Sequence, residues 1–439
     1  METMDYFSKN WRDIYHSFDE TTLFNKEREI ARSKINTEYL YWSKAKHYAK
    51  AFELTEDELW AITKSSRRSS YVELLPIFRD EGSYWSLHFL EMIYKKTYEI
   101  DGLLIQIEQV KEPDMDDLLE SYYIDGLIEE AFETSRIEGA QTKRKEAFDL
   151  IRLSKTPKDT HEQMILNAYK TKKKWIKDPR PLSKEIIREL HNDLIEHTKT
   201  KQDEYEYRSS DVEIVNTQQK IIFKPVTGQK KIIESIEELS DWVEGRGPFN
   251  QFVHPLIKAI LAHFWVAYVH PFYDGNGRTA RMLFYKTLLR EPRYKLLSHV
   301  PISTVIRKTR KDYENAFLFT EHDDLINKDF DLNYFVTYHL NVIQKSLEEF
   351  RDHLSKTQNN LKKLSQELKH LKLNWRQLAL YHHALKHPDN TYTIGSHCMS
   401  HNITRITATK DLGNLVIHGL FVESKSGKTR YFSILKKSA

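Results

Sequence analysis

The stretch His270-Pro271-Phe272-Tyr273-Asp274-Gly275-Asn276-Gly277-Arg278-Thr279-Ala280-Arg281 decides how this chain is read. It interrupts two apolar helical segments, 256–269 and 279–290. Gly275 and Gly277 flank Asn276, so the backbone can turn with positive φ and come close to a ligand. The helix that begins there leaves its first N–H groups, and the positive end of its dipole, facing the loop. Consecutive N–H groups in such a turn make a concave anion site that suits phosphate. Arg278 adds a forked cation at the helix start, and Arg281, three residues on, lies on the same face. A polyphosphate calls for a divalent cation, and Asp274 offers one hard oxygen to it; Mg²⁺ takes the rest of its shell from phosphates and water. His270 is the group there that changes protonation near neutral pH, so it is the candidate general base for an attacking hydroxyl. A Gly-Asn-Gly alone is weak, but nest, carboxylate, imidazole and two spaced arginines within twelve residues are strong together. No Lys-Ser/Thr follows the glycines, which excludes a Walker A loop, and no HExxH occurs, which excludes a zincin. His263 and His270, two turns apart on an apolar helix, read as packing rather than as metal ligands.

Outward from the loop the chain reads as mainly α. Its 439 residues hold only 13 Gly and 12 Pro, and 40% are hydrophobic, enough for two or three domains. Lys and Arg number 67 against 64 acids, so the whole chain is not a basic nucleic-acid binder. The one cysteine, Cys398, excludes a disulfide framework and fits a reducing, cytoplasmic setting. Met1-Glu2-Thr3-Met4-Asp5 carries no secretory pattern, and the longest apolar stretch, 256–272, holds Lys258, His263 and His270 and is too short to span a bilayer. No membrane partner is therefore expected.

Residues 1–110 read as an N-terminal helical layer without chemistry, and 111–345 as the domain that holds the loop. Within 115–137, Leu119, Leu127, Ile128, Ala131 and Phe132 recur at helical spacing, with Gly139 as a C-cap. Pro181-Leu182-Ser183 reads as an N-cap for a helix over 183–199. Residues 211–225 alternate around Asn216-Thr217-Gln218-Gln219 and read as a β-hairpin. Residues 346–373 look like a solvated helical linker. The segment 374–439 carries nine Lys/Arg and three acids, net +6, and reads as three helices and a basic two-stranded hairpin. That order resembles a winged helix-turn-helix. Thr404, Arg405, Thr407, Thr409 and Lys410 open its third helix, where DNA bases would be met; protein docking is the alternative use.

The twelve-residue loop resembles the signature of the Fic (Fido) family, HxFx(D/E)GNGRxxR, at every specified position from His270 to Arg281. The resemblance extends over roughly 110–340. It implies a helical Fic fold that moves AMP from ATP to a hydroxyl of a target protein, self-modification included. By it, His270 is the base, Asp274 the Mg²⁺ ligand, and Asn276 a stabiliser of the α-phosphate. Gly275 and Gly277 line the nest, Arg278 and Arg281 hold the β- and γ-phosphates, and Tyr313 lies near the base of the nucleotide. Val212, Glu213, Ile214 and Val215 form a flap whose edge aligns a target segment by strand addition. Thr134-Ser135-Arg136-Ile137-Glu138-Gly139 is similar to the family's inhibitory motif, (S/T)xxxE(G/N). Thr134 and Glu138, at i and i+4, share a helix face, from which Glu138 can take the Arg281 guanidinium bidentately and deny it to the γ-phosphate. The resemblance leaves open removal of AMP by the same site, a homodimer, and other nucleotides such as UTP or GTP. A nucleotide-sensing DNA-binding regulator is the contrasting class; an intact His270 argues against it, since binding phosphate needs no base.

Overall fold

The structure, a computed structural model, describes residues 11–68, 71–76, 84–88, 91–109, 116–198, 206–215, 221–246, 252–327, 331–427 and 429–435. Helix Pro255–Val269 is its centre. Pro255 occupies the first turn, where a missing N–H costs nothing, and Leu256, Ile260, Phe264, Trp265 and Val269 are buried on every side of it. Helix Asn276–Leu288 packs directly against it, and its Leu283, Phe284 and Leu288 join the same core. Around this pair stand Asp116–Ile137, Thr160–Trp175, Lys184–Ile195, Gln229–Val243 and Ile302–Lys308, contributing among others Ile128, Phe132, Ile165, Leu190, Ile236, Leu239 and Val305. Each such side chain contributes roughly 1.5–3 kcal/mol by leaving water. The helix ends are set by the residues read from sequence. The Ser183 hydroxyl accepts from the Ile186 amide, and Gly139, at φ +93°, follows Ile137 with the Ala140 amide returning to the Ser135 carbonyl.

Three expectations about organisation are corrected. The first 110 residues are not all short helices: strands Tyr71–Pro76 and Tyr84–His88 pair antiparallel. They are not one layer either. Trp11, Ile30, Trp42 and Trp60 form a core of their own, whereas Ile93, Ile100, Leu104 and Ile107 of helix Glu91–Gln109 belong to the central one. The linker is not solvated, because one helix runs unbroken over Asn333–Glu367 and buries Leu347, Phe350, Leu354, Leu361 and Leu364. Its many Lys and Asn residues occupy the outer face and mask the buried stripe. In the flap, among the described residues, Ile214–Val215 pairs antiparallel with Ile221–Phe223, and Val212 and Glu213 lie ahead of the first strand. The Glu213 carboxylate lies 3.0 Å from Lys224 Nζ. The turn residues Asn216 to Gln219 lie outside the described residues.

The C-terminal unit contains helices Trp375–Lys386, Ile394–His401 and Arg405–Ile417, in that order. Strands Phe421–Ser426 and Thr429–Ile434 follow, and a short strand, Tyr392–Thr393, adds to the second of them. The resulting three-stranded antiparallel sheet has one strand more than the sequence suggested. Leu380, Ala384, Leu412, Leu415, Phe421 and Phe432 fill its core.

Candidate active site

His270 ends the central helix in the left-handed region (φ 51°, ψ 58°), directly before Pro271. A β-carbon resists that conformation by about 1–2 kcal/mol, so neighbours must impose it. Arg208, 1% exposed, does so. Its Nε donates to the His270 carbonyl at 2.7 Å and its Nη2 to the carbonyls of Val269 and Val226; its Nη1 donates to that of Ser210. Its own amide donates to the Pro271 carbonyl. One guanidinium thereby joins the end of the central helix to both roots of the flap. The His270 ring is half-buried, with Nδ1 3.3 Å from the Ala267 carbonyl. An Nδ1–H donating there leaves the Nε2 lone pair to receive a proton. Burial holds the imidazole below its ordinary pKa, with the Arg208 charge adding to the effect; the Ala267 carbonyl, Glu138 and Asp274 oppose it.

Beyond His270 the loop is stapled from inside. Phe272 stacks on the buried His191 at 3.6 Å and on Tyr207 at 5.1 Å. Asn276 turns its carboxamide onto the Phe272 backbone, accepting from its N–H at 2.9 Å and donating to its carbonyl at 2.7 Å. Asn276 therefore shapes the nest, and a single amide hydrogen remains for a phosphate. Gly275 sits at φ +78°, and a β-carbon there would lie 3.0 Å from Ile195 and 3.1 Å from His191, so glycine is needed twice over. Asp274 is exposed; one oxygen accepts the Gly275 amide at 2.6 Å and the other lies 3.9 Å from Arg278 Nη2. Arg278 is buried, with Nη1 on the Leu194 carbonyl and its Nε without a hydrogen-bond partner among the described residues.

The Glu138 side chain reaches this nest from the end of helix Asp116–Ile137. Its Oε1 accepts from Arg281 Nη2 at 2.6 Å. The contact is single rather than bidentate. Thr134 supplies the remaining acceptors, its hydroxyl to Nε at 2.7 Å and its carbonyl to Nη2 at 3.2 Å. The same carboxylate oxygen would lie 2.2 Å from a β-carbon on Gly277, so it rests against the backbone that opens the second helix. Tyr313 requires a correction. It is 8% exposed, its hydroxyl 2.9 Å from His263 Nε2 and its ring among Phe317, Tyr338 and His339. It has no open face for a nucleobase and instead backs the Arg281 side chain.

Arg208, His191 and Tyr273 were not picked out from sequence. The Tyr273 hydroxyl lies 3.2 and 3.3 Å from the hydroxyls of Ser209 and Ser210 and accepts from their amides at 3.1 and 3.3 Å; the serine hydroxyls first, and the amides after them, draw the phenol down to about 8. Each of the three has partners more than sixty residues away, His270 and Val269 for Arg208, Phe272 for His191 and Ser209 for Tyr273, which no local spacing reports.

The Fic/DOC family model matches residues 181–288, which hold helix Lys184–Ile195, the flap and the whole loop. This stretch is similar to a Fic domain. A protein adenylyltransferase Fic of Nematostella vectensis is 40% identical over 92 residues, 21% of this chain and 19% of that protein. Protein adenylyltransferase fic-1 of Caenorhabditis elegans is 35% identical over 68 residues, 16% and 13% of the two chains. The chain thus spans less than a fifth of the length of these relatives. A crystal structure of a Fic family protein from Desulfovibrio desulfuricans G20 shares the fold over 80% of this chain and 98% of its own, with TM-score 0.52 and 18% identity.

Proposed function

We propose that this chain is a protein adenylyltransferase, Mg²⁺-dependent and held in check by its own helix. It transfers AMP from ATP to a protein hydroxyl. The observation that carries the reading is the seat of Glu138: a carboxylate lies against Gly277 and Arg281, where nest, helix dipole and guanidinium favour an anion. A phosphate is the other anion suited to that seat.

In the forward reaction the target hydroxyl oxygen bonds to the α-phosphorus while the bond from that phosphorus to the bridging oxygen of pyrophosphate breaks. His270 Nε2 takes the hydroxyl proton. The backbone N–H groups of Asn276 and Gly277 hold the α- and β-phosphates, the buried Arg278 offers to the same anion its Nε, which has no hydrogen-bond partner among the described residues, and Arg281 clamps the far phosphate. Asp274 suits a phosphate-borne cation: it is exposed beside the nest, and no cluster of three or more acidic, His or Cys groups that could hold a metal exists among the described residues. Mg²⁺ there supplies neutralisation of charge on the leaving pyrophosphate. While Glu138 and Thr134 hold Arg281, ATP lacks its clamp and lies in a non-productive pose. The test is transfer of labelled AMP from ATP with Mg²⁺. Glu138→Gly should raise label on protein over wild type, and the same variant carrying His270→Ala should show none. Label that survives loss of His270 would sink the reading.

The C-terminal unit we read as a winged helix that binds DNA. Arg405 and Lys410 on its third helix are exposed, and the hairpin adds Lys425. A gel shift with duplex DNA that weakens with salt supports this, and no shift at low salt refutes it.

A further inference from the structure

The C-terminal unit does not hang free of the catalytic body. Helices Trp375–Lys386 and Ile394–His401 both pack on Asp116–Ile137, the helix that delivers Glu138, and the second also packs on Arg144–Arg152. Met399 reaches the edge of the central core. Two sides of the unit differ in character. Toward the long helix the join is apolar, Leu361 and Leu364 against Leu378. Toward the inhibitory helix the join is polar and incomplete. A cavity of about 60 Å³ lies there, lined by Asp125 and Arg152 on one wall and by His383, Tyr392, His397 and Ser400 on the other. Arg152 pairs with Asp125, but its Nε, and Nδ1 of the buried His397, have no hydrogen-bond partner among the described residues. A polar cavity of that size has room for a few waters, and a wet polar contact is of the kind that opens.

We propose that the C-terminal unit is a detachable latch on the inhibitory helix, which holds that helix in the seat that gives Glu138 to Arg281 when docked and loosens it when released. The 22-residue helix is a rod of roughly 33 Å, so a hold near Asp125 is felt at its far end. The outward helix Arg405–Ile417 and the hairpin remain open while the latch is closed, so a ligand can reach the unit without first undocking it. Inhibition then depends on a contact far from the nucleotide. This rests on the adenylyltransferase reading for its consequence, but not for its physical content.

The test uses full-length protein with Met399→Glu, which sets a carboxylate against the core edge, and Ser400→Arg, which overfills the cavity. Neither residue belongs to the unit's own cores. Hydrogen exchange of amides 123–137 should quicken about tenfold in both variants, with the C-terminal sheet still protected and Met399→Leu behaving as wild type. Incorporation of AMP should rise several-fold in both, and neither should add to Glu138→Gly. Unchanged exchange in both variants overturns the latch, whatever the activity. So does an added rise in the Glu138→Gly background, because the unit would then act elsewhere. If Glu138→Gly itself transfers no AMP, the enzymatic reading fails, and exchange alone still decides the latch.

Discussion

His270 holds its position in a backbone conformation that a β-carbon resists, and Arg208 is what pins it there. Replacing Arg208 by Ala strands buried carbonyls at Val269, His270 and Val226, each a cost of about 1–3 kcal/mol. In a Glu138→Gly background, kcat should fall at least about tenfold, with Arg208→Lys recovering little because an ammonium cannot span four acceptors. Equal kcat in the two proteins would refute the clamp. The depressed pKa of His270 adds a second expectation. Its neutral form, the one able to accept a proton, persists below the ordinary value of 6.5, so kcat should hold as pH falls through 6.5 and drop only further down. Removing the Arg208 charge should move that acid limb upward, because a cation facing the ring disfavours imidazolium. A pH profile breaking at or above 6.5 in the parent contradicts the assignment. The loop residues were legible because their chemistry is local: nest, dipole and spaced arginines lie within twelve positions. Arg208 and His191 were not, since a buried arginine's acceptors and a stacked imidazole's partner are fixed only by folding.

At the scale of elements, helix Asp116–Ile137, the proposed inhibitory helix, is held by more than its last turn. Glu130 accepts from the amide and hydroxyl of Ser303 at 2.9 and 2.6 Å, Glu133 pairs with Arg307, and Gly126 lies flat on helix-turn Pro292–His299. A β-carbon on Gly126 would come 1.8 Å from the His299 carbonyl oxygen, a backbone atom that cannot step aside. Gly126→Ala should therefore push the helix outward at a cost of about 1–3 kcal/mol and raise basal AMP transfer. Wild-type stability with wild-type basal transfer would count against a helix that must sit this close. Glu138→Gly removes a charge-assisted bond to a 5%-exposed guanidinium, worth about 1.5–3 kcal/mol, so ATP should bind productively roughly ten- to a hundredfold better. Isothermal titration with a non-hydrolysable ATP analogue reads that directly, and an unchanged affinity would mean Glu138 does not compete. The helix was readable from its period; the reading of 134–139 came from the family resemblance. The single-point geometry was not readable, because which oxygen meets which nitrogen depends on how far Thr134 lets the guanidinium approach. Tyr313, which the family resemblance put near the nucleotide base, instead turns its hydroxyl to His263 Nε2.

Across the whole molecule, the N-terminal core is tied to the catalytic body through the start of the long helix. Asp331 is fully buried, accepts the Tyr39 hydroxyl at 2.6 Å and the Asn333 amide at 3.0 Å, and lies 3.6 Å from the equally buried Lys64 ammonium. Arg67, also buried, reaches Asn36 and the hydroxyl of Tyr334 on the same helix. These ties join residues some 270 positions apart, which is why composition suggested a separable layer at 1–110 and the structure has none. Removing one member of a buried pair leaves the other charge without compensation, at about 3–5 kcal/mol, whereas removing both in favour of packed apolar groups is close to neutral. Asp331→Ala should accordingly lower the midpoint of thermal unfolding by several degrees, and Lys64→Met with Asp331→Leu should restore most of it. Asp331→Asn, which removes the charge and keeps an acceptor for the Asn333 amide while turning an NH2 toward the Tyr39 hydroxyl, should fall between them. If Asp331→Ala melts with the parent, the pair does not bear on stability, and the N-terminal core is joined to the rest of the chain by other contacts, such as Arg67 with the Tyr334 hydroxyl and Tyr41 stacked on Phe319.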